Sequence, residues 1–271
     1  MSEWEGLVFV VKAFAEKLVV PFEEGAWPSI KCPVCDNGHL TLQASADPAT
    51  KVEWTQTAAT RDWQDWGDPT DIAGTFGAVL RCGNTTDCGD RVHVSGDVGV
   101  DYATGYYEDD PWVTYFTVRW FHPALRIVDV PAGTPGSVSS ELANVGALVW
   151  SNPDAALWSL RKSVEILLDE QGIDKFPPGG TDPRPYSLHK RLKMFGDAHP
   201  QYAEIVEMLQ ATRAVGNEGT HASGRSGKEV LSVVKFVELT LESVYSESDR
   251  DAALAHARKI NAHDGYISPD S

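Results

Sequence analysis

The 271-residue sequence predicts an α+β protein, in which a β-rich N-terminal module precedes a C-terminal antiparallel helical bundle. Three observations lead to this prediction. Segments rich in β-branched and aromatic residues fill the first half, four cysteines lie among them in two close pairs, and helical periodicity dominates after a Pro/Gly-rich stretch. We therefore expect a module at residues 1–130, a hinge at 131–137 and a bundle with a frayed tail at 138–271.

Four segments of the first half are typical of β-strands. They are residues 39–45 (HLTLQAS), 76–82 (FGAVLRC), 90–96 (DRVHVSG) and 112–121 (WVTYFTVRWF). Gly, Asp and Asn separate these segments and predict turns between them. The pattern indicates small antiparallel sheets.

The cysteines form a C-x2-C pair, Cys32 and Cys35, and a C-x5-C pair, Cys82 and Cys88, with 46 residues between the pairs. Turn residues lie inside each pair and strand-like residues outside it, so we expect each pair in the loop of a β-hairpin. Zn²⁺ prefers four soft ligands in a tetrahedron, and two such loops would supply them. A structural zinc site of the zinc-ribbon type follows, which would stabilise folding without doing chemistry.

Two alternatives to the four-cysteine site stay open. His39 or His93 could replace one cysteine as a ligand, or the four cysteines could be buried free thiols. Disulfides are disfavoured because the chain reads as intracellular: its first residues are acidic, and charges interrupt the apolar run at residues 7–20. We expect a cytoplasmic protein that does not enter a membrane.

The N-terminal module is strongly acidic. Residues 1–130 hold 9 Lys+Arg against 20 Asp+Glu, a balance of −11, whereas the remainder has a balance of −5. This charge disfavours nucleic-acid binding by the ribbon and allows a protein partner at the acidic module. A neutral or basic stripe on the folded module would revive the nucleic-acid hypothesis. The insert at residues 53–68, with Trp54, Trp63 and Trp66, is either a docking surface or a packed β-insert.

Helical patterns dominate the second half. Pro153 and Asp154 fit the start of a helix and Gly172 the residue after its end. Serines at 139–140 are suited to an N-cap. The basic run at 188–193 (LHKRLK) is either a solvated helix face or the place where an anionic ligand would bind. Apolar residues at helical spacing predict two buried stripes, Leu157, Leu160, Val164, Leu167 and Leu168, and Val230, Val233, Val234, Val237 and Leu241.

Residues 212–221 (TRAVGNEGTH) concentrate polar groups where a helix runs into Gly216. The C-P-x-C pair, the helix motif with Arg161 and Glu165, the L-x2-R-L motif at 188–192 and the motif from Arg213 to His221 together resemble the prokaryotic family of domain of unknown function 4145. The resemblance covers residues 30–246, and its helical part is similar to HEPN bundles, many of which are metal-independent ribonucleases of toxin and antiviral systems.

The resemblance implies a site of Arg213, Asn217 and His221, supported by Arg161 and Glu165. Histidine suits the base that deprotonates a 2′-hydroxyl, and arginine stabilises charge on phosphate. Seven residues separate Arg213 from His221, whereas the ribonuclease signature has four to six. The alternative is a clasp, in which Arg213 pairs with Glu165 and the polar side chains satisfy backbone at the helix end.

Two functions follow from these features. The first is a binding or adaptor protein of a prokaryotic or phage defence system, which acts through its ribbon and dimerises through its helical bundle. The alternative is a metal-independent ribonuclease that uses Arg213 and His221 and binds RNA at the C-terminal module. Residues 222–229 lack the first glycine and the Ser/Thr of a phosphate-binding loop, so we do not expect a nucleoside-triphosphate site there.

Overall fold

The computed structural model describes residues 12–23, 26–35, 37–42, 52–61, 68–102, 112–179, 184–218 and 224–246. The predicted α+β class is confirmed, because an antiparallel sheet occupies the first half of the chain and helices occupy the second. In the portion that is described, no helix has both the length and the apolar composition needed to cross a membrane.

The first half forms one seven-stranded antiparallel sheet rather than the small sheets expected from sequence. The order is β1-β7-β6-β5-β3-β2, and β4 pairs with β5 beside β3. The long strands β5, β6 and β7 form the centre, and two short helices, α1 and α2, accompany the sheet. The elements are α1 (Ala13–Leu18), β1 (Phe22–Glu23), β2 (Ile30–Lys31), β3 (His39–Leu42), β4 (Trp54–Gln56), α2 (Ala58–Arg61), β5 (Ala73–Cys82), β6 (Arg91–Tyr102) and β7 (Trp112–His122).

One face of the sheet is buried and the other is exposed, because side chains alternate along each strand. Phe76 and Phe116 meet edge to face on the buried side, with ring centroids 5.0 Å apart. A bulge follows Ser95, where Gly96 is required: a Cβ there would lie 2.0 Å from the carbonyl oxygen of Thr117. The bulge adds Arg119 to β7 without disturbing the buried face.

The described part of the second half contains five α-helices: α3 (Gly136–Leu148), α4 (Pro153–Glu170), α5 (Leu188–Ala198), α6 (Ala203–Glu218) and α7 (Gly227–Tyr245). The start and end predicted for α4 are correct. The Asn152 side chain accepts a hydrogen bond from the backbone N–H of Ala155, and Gly172 adopts φ +72° after the last turn. Both predicted apolar stripes are buried. The serines expected as an N-cap instead lie inside α3, which begins at Gly136.

The segment between β7 and α3 is packed against both halves of the protein. Leu125 and Ile127 are buried, and Gly146 of α3 comes so close that a Cβ there would lie 2.1 Å from the Leu125 carbonyl oxygen. Further along, Lys12 forms an ion pair of 2.7 Å with Asp129, whose N–H donates to a Glu238 carboxylate oxygen of α7 at 2.8 Å. These contacts join the sheet to the helices.

Candidate metal centre

The first cysteine pair lies in the loop of the β2–β3 hairpin, as the sequence predicts. Cys32 directly follows β2, and its N–H donates to the carbonyl oxygen of Gly38 at 2.8 Å. The N–H of Asn37 donates to the carbonyl oxygen of Cys35 at 2.7 Å, which turns the chain back toward β3. Only glycine fits at position 38, because the chain there comes close to the second pair: a Cβ on Gly38 would lie 2.2 Å from the Sγ of Cys82.

The second pair lies between β5 and β6, again as predicted. Cys82 is the last residue of β5, and Cys88 lies in the turn that leads to β6. The N–H groups of Cys88 and Gly89 both donate to the carbonyl oxygen of Asn84, at 3.0 and 2.9 Å, and Gly89 adopts φ +68°. The N–H of Gly83 donates to the carbonyl oxygen of His39 at 2.9 Å and thereby joins the two loops.

The four sulfur atoms lie at the distances expected around one tetrahedral metal ion. Cys32 Sγ is 3.9 Å from Cys88 Sγ, Cys35 Sγ is 3.7 Å from Cys82 Sγ, and all four sulfurs lie within 4.8 Å of one another. Zn–S bonds of about 2.3 Å at tetrahedral angles require S···S distances of about 3.8 Å. A disulfide would bring two sulfurs to about 2.05 Å, and all four cysteines are free thiols. The cluster is therefore compatible with a metal site.

The thiols of this cluster do not ionise equally. Burial disfavours the Cys35 thiolate, but hydrogen bonds from the N–H groups of Asn37 and Gly38 and from the neighbouring thiols lower the pKa of Cys35 to about 7. The N–H of Asp90 favours the Cys88 thiolate, yet burial and the other three sulfurs raise its pKa to about 12. Burial also raises the pKa of Cys82. Four thiolates so close together need a cation, because each one opposes ionisation of the next.

Neither histidine considered as a replacement ligand belongs to this cluster. The His39 ring Nδ1 is hydrogen-bonded to the Ser29 hydroxyl at 2.8 Å, and His93 lies on the exposed face of β6. Among the described residues the potential metal ligands that come together are the four cysteines. Of the tryptophans in the insert, Trp54 packs against the core from β4, whereas Trp63 and Trp66 lie outside the described residues.

The polar motif of the helical half differs from its sequence interpretation. Helix α6 continues through Gly216 and Asn217 and ends at Glu218. Arg213 is half-buried, and its Nε donates to the Gln210 carboxamide oxygen at 2.9 Å. The same oxygen is 3.0 Å from Nδ1 of His189 in α5, so this group connects two helices. His221 lies outside the described residues.

Arg161 and Glu165 pair with each other across one turn of α4, with an N···O distance of 3.5 Å. The ion pair between Arg213 and Glu165 considered above is not formed. Both Arg161 and Glu165 are partly exposed.

A buried arginine was missed by sequence reasoning. Arg191 of α5 is 2% exposed and donates to three groups at the end of α4: the carbonyl oxygens of Glu165 at 3.3 Å and Ile173 at 2.8 Å, and the Asp169 carboxylate at 2.6 Å. The basic run at 188–193 is thus only partly a solvated face. The spacing of Arg191 between Leu188 and Leu192, both buried, is the signal that could have identified it.

Comparison with known families gave two matches. Residues 20–125 match the family model of a domain of unknown function (DUF8608), and residues 143–262 match that of a domain of unknown function (DUF4145). The second match confirms the resemblance to domain of unknown function 4145 for residues 143–262, whereas residues 20–125, with the four cysteines, match a different family. No curated protein is significantly similar to the chain, and neither is any solved structure.

Proposed function

We propose that this chain, whose residues 143–262 belong to the DUF4145 family, is a cytoplasmic binding or adaptor protein with a structural zinc site in its sheet. The sulfur geometry is the observation that carries the zinc proposal. Four sulfurs at tetrahedral spacing leave no ligand position open for water, so the ion would stabilise folding rather than catalyse a reaction. The division into residues 1–130, 131–137 and 138–271 is part of the same proposal.

The zinc ion would join strands that are far apart in sequence. Cys32 and Cys35 anchor the short β2–β3 hairpin, which has few backbone hydrogen bonds of its own, to the end of the long β5–β6 hairpin. Because this ligand set exists only in the folded sheet, metal binding would contribute directly to the free energy of folding.

The zinc proposal is tested by metal analysis and X-ray absorption spectroscopy of the purified full chain. We expect one zinc per chain with four sulfur neighbours at about 2.3 Å. Cys82→Ser should lose the metal, whereas His39→Ala and His93→Ala should keep it with unchanged spectra. Absence of zinc from the wild-type chain, or a nitrogen ligand that disappears in a histidine variant, would contradict the proposal.

The contacts of Arg213 support binding rather than turnover for the helical half. Its Nε donates to Gln210 of the same helix, and Gln210 in turn contacts His189 of α5, so Arg213 belongs to an inter-helix polar contact, although it does not form the ion pair with Glu165. The adaptor hypothesis adds a homodimer formed through the helices, a protein partner at the acidic first module, and a role in a prokaryotic or phage defence system, by resemblance to HEPN bundles. Light scattering of the full chain tests the dimer: a mass of one chain, 29.6 kDa, would contradict it.

Ribonuclease activity remains the alternative, and one structural feature favours it. Because α6 continues to Glu218, Arg213 and Asn217 belong to the same helix, four residues apart. With His221 they would supply a cation, an amide and a base to RNA.

A cleavage assay separates the two functions of the helical half. Total RNA is incubated with the full chain in buffer without added divalent ions, and Arg213→Ala and His221→Ala are compared with Lys193→Ala, an exposed basic residue of α5. Cleavage lost only in the first two variants, at unchanged thermal midpoints, would establish the ribonuclease. No cleavage, with a lowered midpoint for Arg213→Ala, would support the clasp.

A further inference from the structure

The exposed face of the central strands carries aromatic and basic side chains at its cysteine end. Register pairing aligns Arg81 with Arg91, and His93 with His122, while Trp120 lies two residues before His122 on the same face. All five side chains are exposed. We call this set the Trp120 face.

The aromatic part of the Trp120 face is preorganised but not used by the core. The rings of Trp120 and His122 are stacked, with centroids 5.5 Å apart and an angle of 6° between planes. Trp120 is 46% exposed, whereas its neighbour Phe121 points to the opposite face and is 2% exposed. A large ring held flat in solvent contributes little to folding, but it offers a surface on which another planar group can stack.

The sheet surface beside the stacked rings carries only small residues. Ser95 is the register partner of Trp120, and Gly77 is the partner of Ser95 on β5. A Cβ at Gly77 would have no other heavy atom within 4 Å, so the space above it is open. A ligand can therefore approach the backbone of β5 and β6 beside the indole ring.

The charged side chains of the Trp120 face are Arg81 and Arg91, whereas the module as a whole is acidic. Residues 1–130 contain nine Lys+Arg in all, and three of these, Arg81, Arg91 and Arg119, lie on the exposed face of β5–β7. Arg119 is paired with Asp97 at 2.6 Å. Neither Arg81 nor Arg91 has an ion-pair partner among the residues whose structure is described. Arg91 lies two residues before His93 on β6, so these two positive charges lie at the same end of the exposed face as the aromatic stack.

We propose that the Trp120 face binds single-stranded nucleic acid, with an unpaired base stacked on the Trp120/His122 rings and the phosphodiester backbone bound by Arg81 and Arg91. Stacking on exposed aromatic rings combined with nearby cations is how sheet surfaces bind single strands with little sequence preference. A duplex binds poorly because its bases are already stacked inside the helix. This inference does not depend on the ribonuclease alternative, since it uses different residues in the other half of the chain.

Fluorescence anisotropy with labelled dT12 and U12 tests the proposal on the full chain. DNA has no 2′-hydroxyl, so the dT12 measurement is independent of any ribonuclease activity. We expect Trp120→Ala to weaken binding about 5- to 150-fold, the range for loss of one stacked base. Trp158→Ala is the matched control, because Trp158 is 62% exposed on α4, and it should bind like the wild type.

The salt dependence of binding tests the role of the arginines. The logarithm of affinity falls with the logarithm of salt concentration by about 0.7 for each phosphate neutralised on a single strand. The double variant Arg81→Gln/Arg91→Gln should therefore lower this slope by about 1.4, whereas Lys190→Gln on α5 should not change it. Binding of dT12 without U12, or the reverse, would identify the sugar that the face accepts.

Three results would overturn the proposal. They are no binding of either oligonucleotide by the wild-type chain at low salt, equal losses in Trp120→Ala and Trp158→Ala, or preference for duplex over single-stranded DNA. Unchanged zinc content, far-UV circular dichroism and thermal midpoint of each variant would confirm that the sheet is intact.

Discussion

Gly38→Ala should disrupt the metal site without altering any cysteine. The new Cβ would lie 2.2 Å from Cys82 Sγ, and the sulfur or the loop must move by about 1.2 Å to reach 3.4 Å, where ordinary contacts begin. Metal–ligand distances tolerate only about ±0.2 Å. The substitution also disturbs the hydrogen bonds that Gly38 makes with Cys32 and Cys35.

The size of this effect follows from displacement of one ligand. Changes in groups that only orient a ligand cost about 10- to 100-fold in metal affinity, and displacing the ligand itself should cost at least as much. This range corresponds to a loss of about 1.4–2.7 kcal/mol of binding free energy.

Competition with a chromophoric zinc chelator measures the effect. The matched control is Gly77→Ala in β5, where a Cβ meets no heavy atom within 4 Å. We expect the control to hold zinc as tightly as the wild type. If Gly38→Ala and Gly77→Ala bind zinc equally well, the sulfur cluster is not the metal site that its geometry indicates.

Four other predictions concern stability, pH dependence and metal binding. Arg191→Met removes three hydrogen bonds and should lower the free energy of unfolding by about 3 kcal/mol and the thermal midpoint by about 6–12 °C, as measured by calorimetry. Lys190→Met, which replaces the exposed neighbouring residue, should leave both almost unchanged. Ser226→Ala removes the capping box of α7 and should cost about 1 kcal/mol in urea unfolding. The N–H of Ser226 and the Arg225 guanidinium lower the pKa of Glu229 below 4.5. The ionised Glu229 therefore stabilises the fold above pH 4.5, and this contribution should be lost as pH falls through the lowered pKa. Glu229→Gln should remove this pH dependence of stability. Zinc binding at neutral pH should release protons, because the pKa of Cys88 near 12 keeps that thiol protonated without metal. Zinc affinity should therefore fall as pH decreases. Calorimetry in buffers of different ionisation enthalpy measures the release, and finding none would contradict this prediction.

Sequence patterns were sufficient for features that depend on neighbouring residues. The two cysteine loops, the start and end of α4, and the buried stripes of α4 and α7 were all predicted, because turns, caps and helical periodicity are local. The end of α6 was not predicted. A glycine inside a helix costs only about 1 kcal/mol, so packing of α6 against its neighbours can carry the helix through Gly216.

Strand pairing explains why the structure has one seven-stranded sheet where the sequence predicted several small ones. β3 and β4 both pair with β5, at opposite ends of that strand, and this arrangement joins the expected small sheets into one. Such pairing joins residues distant in sequence, and each strand by itself offers the same hydrogen-bonding groups to any partner. The burial of Arg191 has a similar origin, because its partners lie on another helix.

The sequence by itself determined the fold class and the two cysteine pairs, because composition, spacing and periodicity are properties of the chain alone. Only the tertiary structure decided that the four sulfurs meet at tetrahedral distances, that Arg213 bonds to Gln210, and that Trp120 and His122 share an exposed face with Arg81 and Arg91. These arrangements depend on strand register and helix packing. Both are fixed by burying one face of each element, and burial on one side determines which side chains remain for binding on the other.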